Sequence, residues 1–302
     1  MGDADTLCLG PGNQKVRVVC ISDTHNDDCT GSLPDGDVLI HSGDMTDDGT
    51  MEELQAAYDW ISALPHKVKI IIAGNHDMGL DDKHKDFLPE ALALFTSEAA
   101  KSAGIHYIDR CVQQIQLLPS SPDFTAPAAS STVPVYGNPC QPEFLGKPYA
   151  FIYPPHPSPQ ATDAWEDAPT TSSVPIWVTH GPPLGRLDWI PIRPLTGCAV
   201  QARAIARARP VLTVFGHYHI SHGVEVVTWA DESAAPDDSI VKVETLVKDG
   251  APAHLDFTSP ELRFERGRKT IFVNAAWMTL AKPRGEERYQ PVVLDLPLEL
   301  LT

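Results

Sequence analysis

The chain has 302 residues, 42% of them hydrophobic and 21% charged, which is enough to bury a full core as one large domain or two small ones. Its 40 acidic residues outnumber 23 basic residues and give a formal charge of -17 at pH 7. A surface this negative repels phosphate polymers and anionic membranes, which argues against an extended nucleic-acid groove. A small anionic substrate remains compatible with this charge, because a local metal centre can overcome the global field.

The cysteines and the N-terminal segment bear on the compartment. None of the six cysteines has a paired spacing or a CxxC pattern, so we expect a reduced chain in the cytoplasm. Residues 1–10 contain no apolar core of a signal peptide, and no window reaches the length of a membrane span. We predict a disordered leader over residues 1–15 and a single domain over residues 16–302.

The first part of the chain has the pattern of a strand–helix–strand unit. Apolar, β-branched runs predict three strands, at residues 16–22, 37–42 and 67–73. Before the third strand, Thr50 and Glu53 have the spacing of a capping box, and an apolar face from Leu54 to Leu64 predicts a helix that ends at Pro65. This order predicts parallel pairing with a right-handed crossover.

The middle of the chain changes in composition. A helical pattern covers residues 89–103, and two strands, residues 105–108 and 111–118, are predicted around a turn at Asp109-Arg110. Residues 119–175 are rich in proline, serine, threonine and alanine, so we expect surface loops with one strand at residues 133–136.

Aromatic residues in this Pro-rich stretch are expected to pack as a cover over the domain. The residues concerned are Phe144, Tyr149, Phe151, Tyr153 and Trp165. Burial in the core is the ordinary role of such side chains, and contact with a substrate is the alternative.

The last part of the chain again predicts alternating strands and a helix. The predicted strands are residues 174–179, 211–215, 223–229, 240–246, 270–274 and 291–296. Residues 197–209 predict a helix with a basic outer face, ended by Pro210. The acidic, turn-rich segment of residues 230–269 is interpreted as an insertion or an extended hairpin.

Five of the predicted strands are followed by side chains that can bind metal. These side chains are Asp23 and His25, Asp44, Asn75 with His76, His180, and His217 with His219. Each motif alone is weak, although His217 and His219 are alternate residues of an extended segment and therefore share one side. Carboxylate, imidazole and amide groups suit hard or borderline divalent ions. The five motifs together predict one dinuclear metal site, with Asp44 as the bridge between the ions.

The order DxH, GD, GNH, H, GHxH resembles that of the calcineurin-like metallophosphoesterases. The segments Ser22–His25, Gly36–Asp44, Ala73–His76 and Thr179–Gly185 resemble the metallophosphoesterase-domain subgroup, which is similar to class III cyclic-nucleotide phosphodiesterases. The resemblance extends from about Arg17 to Leu296 and lapses in the Pro-rich stretch and in residues 230–269. It implies an α/β fold, a four-layer α/β/β/α sandwich of two mixed sheets with flanking helices.

The resemblance also implies which residues hold two divalent ions. One ion would be held by Asp23, His25, Asp44 and His219, and the other by Asp44, Asn75, His180 and His217. Some animal members of the subgroup have glycine at the position of His217, which weakens their second site, whereas this chain keeps the histidine. The mixed nitrogen and oxygen donors admit Mn, Fe, Zn, Ni or Co.

The residues next to these ligands are candidates for catalysis and substrate binding. His76 has no metal in this assignment and is expected to act as an acid or to stabilise charge. Asp77 either orients the His76 imidazole or caps the turn. Arg186 and Arg193 follow the His180 loop and either contact a substrate phosphate or are solvated loop charges.

We therefore expect a dinuclear metal-dependent phosphoesterase that hydrolyses a small phosphodiester by attack of a metal-bridging hydroxide. Two ions, two aspartates and one hydroxide sum to a charge of about +1, which suits a diester monoanion. One alternative uses the same site to hydrolyse or rearrange a non-phosphate specialised metabolite, because a fold does not fix the reaction. A second alternative, a non-catalytic interaction module, has no reason to keep all the ligands. The expected partner is a small anionic molecule, without a nucleic-acid polymer or a membrane span, and the oligomeric state stays open.

Overall fold

The computed structural model describes residues 14–117, 132–143, 146–191, 196–231, 239–248, 251, 253–262, 265–279 and 288–302. Residues 1–13, most of the predicted leader, lie outside the described residues, as do Phe144, Arg193 and part of the predicted insertion. Lys15, the last residue of the predicted leader, already belongs to the first strand, one residue beyond the start of the described part.

The strands and helices follow one another in this order: β1 Lys15–Ile21, β2 Val38–His41, α1 Met51–Ala63, β3 Val68–Ile71, α2 Pro89–Thr96, α3 Glu98–Ser102, β4 Ile105–Tyr107, β5 Cys111–Gln116, β6 Thr132–Asn138, β7 Gln141–Pro142, β8 Ile152–Tyr153, α4 Pro159–Asp163, β9 Ile176–Thr179, α5 Ala199–Ala208, β10 Leu212–Phe215, β11 Gly223–Trp229, β12 Ile240–Lys248, β13 Ala253–Asp256, β14 Lys269–Asn274, β15 Val292–Pro297 and α6 Leu298–Leu301. Short 3-10 turns cover Met78–Leu80 and His219–Ser221. None of the helices in the described part is long and apolar enough to span a membrane.

The first sheet has the strand order β13-β15-β1-β2-β3-β4. Strands β1 to β4 pair in parallel, while β15 runs antiparallel to β1. The predicted parallel unit of β2, α1 and β3 is confirmed, with Val38 opposite Val68. The capping box is also confirmed, because the Thr50 hydroxyl accepts from the Glu53 amide and the Glu53 carboxylate accepts from the Thr50 amide. This box fixes where α1 begins.

The second sheet has the strand order β12-β11-β14-β10-β9-β6-β5. Strands β6, β9, β10 and β14 are parallel neighbours, and antiparallel strands flank them on both sides. The turn at Asp109-Arg110 therefore does not join two partners, since β4 is the edge of the first sheet and β5 the edge of the second. Arg110 has a φ of 50°, which lets the chain change direction there. The sequence pattern identified both strands but could not identify their partners.

Other differences from the predictions are local. The predicted helix of residues 89–103 is two helices, because Ser97 ends α2 and its hydroxyl accepts from the Ala100 amide at the start of α3. The Pro-rich stretch contains three short elements that were not predicted, β7, β8 and α4. Within residues 230–269, β12 pairs antiparallel with β11, which favours the extended hairpin, and β13 was missed and joins the first sheet beside β15.

Apolar side chains fill three layers and confirm the four-layer sandwich. The inner layer lies between the two sheets and contains Val18, Ile40, Val178 and Val214. The outer face of the first sheet packs against α1 and α2 through Leu39, Leu54, Ile61 and Phe95. The outer face of the second sheet packs against α5 through Trp177, Phe215, Ala204 and Ile205. Both sheets are thus covered on both faces, as the apolar runs of the sequence require.

Candidate metal centre

The candidate ligands lie where strands of both sheets end. In the first sheet, β1, β2 and β3 are parallel, and in the second sheet β9 and β10 are parallel. A parallel bridge between Ser22 and Ala276 joins the end of β1 to the segment after β14, so the two sheets meet at this edge. Carboxyl ends of parallel strands are the usual place for ligands in such sheets.

Asp44 occupies the centre of this edge. Its side chain is buried, and its Oδ2 lies 3.7 Å from His25 Nε2 and 3.3 Å from His180 Nε2. Its Oδ1 accepts a hydrogen bond from the His76 amide at 2.8 Å. One carboxylate oxygen therefore faces imidazoles from β1 and β9 at once, which is the position that a bridging ligand needs.

Asp23 links the two sheets. Its carboxylate is fully buried and accepts from the His217 amide at 3.0 Å, and its Oδ1 lies 3.2 Å from His219 Nε2. The His25 and His219 rings are 5.3 Å apart, so a residue of β1 and a residue after β10 face the same space. The GHxH segment of the second sheet is thus positioned by an aspartate of the first.

The hydrogen-bond partners of His180 indicate whether a cation fits the site. Its Nδ1 donates to the Ser42 carbonyl at 2.9 Å, and its Nε2 faces Asn75 Oδ1 at 3.1 Å and Asp44 Oδ2 at 3.3 Å. A nitrogen lone pair opposite two oxygens is repulsive unless a proton or a cation lies between them. Burial alone would lower the pKa of His180, but the carboxylates of Asp44 and Asp23 outweigh burial and raise it to about 9. The surroundings of His180 therefore demand positive charge, which a divalent ion supplies.

His25 and Asp44 show the same pattern of opposing effects on the pKa. Burial would lower the pKa of His25, but the hydrogen bond to Asp47 and the charge of Asp44 raise it to about 9. Burial would raise the pKa of Asp44, yet His180 and its neighbouring imidazoles hold it well below the usual value. His217 differs, because burial and the nearby His180 lower its pKa to about 3. Its imidazole is therefore neutral, the form that can bind a metal ion. Deprotonated carboxylates beside imidazoles form a donor set that fits divalent metals.

The backbone at the candidate ligands is strained. Asp23, His25, Asp44 and His217 all have positive φ, at 55°, 44°, 53° and 65°. Non-glycine residues rarely adopt this conformation, and such strain concentrates at functional sites. Gly74 is required by close approach, because a Cβ there would overlap the Asp44 amide and carboxylate. The glycines of the motifs thus let the backbone come close to the carboxylates.

Among the described residues, three groups of side chains have ligand atoms within 4.8 Å of one another. The groups are Asp23 with His25 and His219, Asp44 with His180 and His217, and Asp44 with His25 and His76. Together with Asn75, the structure brings all seven sequence-predicted ligands to one edge. The third group adds His76, to which the sequence assigned no metal, and it shares His25 and Asp44 with the predicted set.

His76 is held in a defined orientation. Its Nδ1 donates to the Asp47 carbonyl at 2.6 Å, so Nε2 is the nitrogen left for the centre. Its ring packs edge-on against the His25 ring, with 4.8 Å between the ring centroids. It also lies against the tilted ring of Tyr149, with 4.6 Å between the centroids. Asp47 and Tyr149 were not predicted at this position. The cover of aromatic residues was the only signal for Tyr149, and the sequence carried none for Asp47.

Asp77 supports the loops and does not orient the imidazole. Its carboxylate is fully buried and accepts from the amides of Met45, Thr46 and Gly74 and from the Thr46 hydroxyl. Burial and the nearby charge of Asp44 raise its pKa to about 6. The structure therefore favours the turn-capping alternative, and the Asp47 carbonyl takes the orienting role that Asp77 was expected to have.

The two arginines expected to contact a substrate are not both described. Arg186 forms an ion pair with Glu225 of β11 at 3.2 Å and lines a cavity of about 200 Å³ beside α5. None of the candidate ligands lines that cavity. Arg186 therefore has a structural partner in the second sheet, and its contact with a substrate stays a prediction. Arg193 lies outside the described residues.

Two curated relatives are similar to this chain in sequence. Metallophosphoesterase domain-containing protein 1 of Homo sapiens is 35% identical over 215 residues, which cover 69% of this chain and 62% of that protein. Probable rhamnogalacturonate lyase C of Emericella nidulans is 32% identical over 299 residues, which cover 93% of this chain but 24% of that protein. The chain thus spans less than two thirds of the length of either relative.

One solved structure and one family model complete the comparison. The structure of a purple acid phosphatase from yellow lupin (Lupinus luteus) seeds has a TM-score of 0.40 and 9% identity, covering 94% of this chain and 48% of that one. The family model described as Calcineurin-like phosphoesterase matches residues 16–221, from β1 to the end of the GHxH segment. The match covers more than half of the chain and confirms the predicted resemblance. The chain belongs to the calcineurin-like phosphoesterase family.

Proposed function

We propose that this protein is a metal-dependent phosphodiesterase that acts on small substrates and binds two divalent ions. The observation that carries the proposal is the position of Asp44, whose Oδ2 faces His25 Nε2 at 3.7 Å and His180 Nε2 at 3.3 Å. A carboxylate between two groups of imidazoles can act as a ligand in both groups. A site for a single ion does not require this arrangement.

The residues that would hold the ions are those that the family resemblance implies, and two of the clusters support this division. One group would contain Asp23, His25, Asp44 and His219, and the other Asp44, Asn75, His180 and His217. When bound, two divalent ions supply Lewis-acid activation of water and neutralise phosphoryl oxygens. The protein fixes the donors through backbone hydrogen bonds, such as Asp23 amide to Gly43 carbonyl at 2.9 Å and His180 Nδ1 to Ser42 carbonyl at 2.9 Å.

His76 would contact the substrate from its position beside the candidate metal ligands. Its Nδ1 hydrogen is used by the Asp47 carbonyl, so a proton delivered to the substrate comes from Nε2. In its protonated form, the imidazole can stabilise phosphoryl charge or protonate the leaving oxygen. General acid catalysis of this kind contributes about 10²–10⁴-fold.

The charge of the centre supports a diester over a monoester. Two divalent ions with Asp23, Asp44 and one hydroxide leave a charge of about +1 when the imidazoles are neutral. A phosphodiester carries one negative charge at neutral pH and balances this, whereas a monoester dianion would leave the complex negative. The small size of the substrate is supported by the net charge of -17, which disfavours polyanionic chains.

The test combines metal content with turnover. Elemental analysis of the full chain, loaded in turn with Mn, Fe, Zn, Ni or Co, is paired with hydrolysis of bis(4-nitrophenyl) phosphate and of 4-nitrophenyl phosphate. We expect two ions per chain and preferential cleavage of the diester. Two ions with cleavage of neither ester would favour a non-phosphate substrate. Failure to bind any metal, or clear preference for the monoester, would overturn the proposal.

A further inference from the structure

None of the candidate ligands lines a cavity of about 670 Å³ that lies on the far side of Tyr149, but the cavity shares this residue with the surroundings of His76. Its wall includes Tyr149, whose ring centroid lies 4.6 Å from that of His76. One side chain therefore belongs both to the cavity and to the surroundings of the proposed acid. A substrate whose phosphate lies beside His76 has this cavity within reach of its remaining part.

The segment that places Tyr149 is anchored to the loops of the centre. We call residues 146–154 the cap. The Ala150 amide donates to the carbonyl of Asn75, a candidate ligand, at 3.1 Å. The Phe151 amide donates to Asp81 Oδ2 at 2.7 Å, and His84 Nε2 donates to the Pro148 carbonyl at 3.0 Å. These three bonds hold Tyr149 against His76.

The cavity wall is largely aromatic and apolar on the side of the cap. The side chains concerned are Tyr136, Tyr149, Phe151, Ile152 and Tyr153. Aromatic faces bind flat organic groups by stacking and by burial of apolar surface. The cavity volume falls within the range usual for small-ligand sites.

The charges of the wall do not favour a second phosphate. Lys83 and Arg110 are its fixed cations, and Asp81, Asp163 and Asp167 are its carboxylates. Arg110 is already paired with Asp109 at 2.8 Å and with Asp82 at 3.3 Å. With carboxylates in excess and one cation already neutralised, an anionic group would be repelled, whereas an uncharged ring would not.

An independent observation is a buried amide without a partner, which does not line the cavity itself but lies between the segment of its wall and the loop of His180. Gln141 of β7 is 1% exposed, and neither its Oε1 nor its Nε2 has a hydrogen-bond partner. Its residue pairs with Ile152 of the cavity wall, and its side chain lies against Gly181, which follows the candidate ligand His180. A buried amide without partners is costly, so a bound polar atom is expected to satisfy it.

We propose that this cavity binds a flat, uncharged organic substituent of the phosphodiester and that Tyr149 determines this specificity. The inference rests on the proposed phosphodiesterase function and narrows its substrate class. The phosphate would lie at the metal centre beside His76, and the organic substituent would pack against the Tyr149 ring. A polar atom between them would meet the Gln141 amide.

Two diesters with the same leaving group test this directly. Methyl 4-nitrophenyl phosphate and phenyl 4-nitrophenyl phosphate both release 4-nitrophenolate as water supplies the incoming oxygen, and they differ only in the retained substituent. We expect kcat/KM of the wild type to favour the phenyl ester. Tyr149→Ala should lower kcat/KM for the phenyl ester by about 5- to 100-fold, the range of one aromatic stacking contact, with little change for the methyl ester. Tyr149→Phe should retain the preference, because it keeps the ring.

Trp189→Ala is the matched control. Trp189 is a 51% exposed aromatic side chain that lines a different cavity, so its removal should leave both rates unchanged. Equal losses for both esters in Tyr149→Ala would reduce Tyr149 to a positioning residue for His76 and overturn the specificity proposal. Absence of a phenyl preference in the wild type would overturn it as well.

A binding measurement separates this inference from the proposed function. Phenyl methylphosphonate and methyl methylphosphonate carry the same charge, and their dissociation constants can be measured by titration calorimetry on the full chain. Tighter binding of the phenyl compound, lost in Tyr149→Ala and Gln141→Leu, would support the cavity assignment even if neither diester were hydrolysed. In that case only the proposed reaction fails. Equal binding of the two compounds would overturn the cavity assignment, whatever the turnover.

Discussion

The loops that carry the candidate ligands and the cap that lies beside them are built in different ways. The ligand loops leave the ends of parallel strands and are fixed to one another by backbone groups, such as Ser42 amide to Ile21 carbonyl at 3.1 Å. Their carboxylates are fully or almost fully buried. The cap follows no long strand, takes two of its three anchors from the side chains of Asp81 and His84, and leaves Tyr149 partly exposed.

The difference suggests separate roles, with the ligand loops serving catalysis and the cap serving substrate recognition. Groups that hold ions must keep their positions within fractions of an ångström, and buried strand ends provide that rigidity. Groups that contact the variable part of a substrate can lie on surface loops, which accept changes in sequence more readily. The comparison predicts that substitutions in the ligand loops abolish turnover, whereas substitutions in the cap change the choice of substrate.

The largest effect is expected from Asp44→Ala. Removal of the carboxylate that faces both groups of imidazoles should leave a chain unable to hold two ions and without measurable turnover. Metal per chain by elemental analysis is the measurement, with Asp59→Ala on α1 as the matched control. A folded Asp44→Ala variant that still carries two ions would contradict the bridging assignment.

His76→Ala tests the other part of the centre. The variant should keep its metal content and lose about 10²–10⁴-fold in kcat, because it removes a proton donor but not the predicted ligands. Steady-state rates and metal content are measured on the same sample, with His106→Ala, a half-buried histidine of β4, as control. Loss of metal together with turnover would instead make His76 a ligand, as its cluster with His25 and Asp44 allows.

Asp77→Ala separates support from catalysis within the ligand loops. The substitution leaves the buried amides of Met45, Thr46 and Gly74 without their acceptor, at a cost of about 3 kcal/mol or more in the free energy of unfolding. Chemical denaturation measures this loss. Turnover per correctly folded, metal-loaded chain should fall much less than in His76→Ala, and an equal fall would return Asp77 to the catalytic group.

Asp81→Ala tests the cap. It removes the acceptor of the Phe151 amide, at a cost of about 1–3 kcal/mol for an unsatisfied group, without touching a candidate ligand. We expect KM for phenyl 4-nitrophenyl phosphate to rise, with kcat for methyl 4-nitrophenyl phosphate nearly constant. Loss of kcat for both esters would show that the cap and the ligand loops are one unit, and the comparison would fail.

The smallest effect on turnover is expected from Arg186→Ala. The ion pair with Glu225 is mostly buried, so its loss should lower the free energy of unfolding by about 1–3 kcal/mol through the unpaired Glu225 carboxylate, whereas turnover should not change. Thermal unfolding and kcat/KM for both esters provide the measurement. A large rise in KM would restore Arg186 to the substrate contacts expected from its place in the sequence.

The sequence predicted the centre better than the surroundings, and the reason lies in how each is encoded. A short apolar run precedes each of Asp23, Asp44, Asn75, His180 and the GHxH segment. A few consecutive residues therefore encode both the strand and the ligand at its end. Asp47 and Gln141 carry no such signal, because their role depends on contacts with residues far away in the chain. The same holds for the ion pair of Arg186 with Glu225 on β11, a partner 39 residues away in the chain.

The amino-acid sequence by itself determined most strands of the two large sheets, the capped helix α1, the metal-binding residue types and the family. These features depend on periodicity, on capping groups and on motifs, all of which are local. Only the tertiary structure decided that β4 and β5 lie in different sheets, that Asp77 supports loops, and that Tyr149 lies against His76. Strand partners and side-chain neighbours are fixed by burial and hydrogen bonding between segments that are distant in the chain. A local sequence pattern therefore does not specify them.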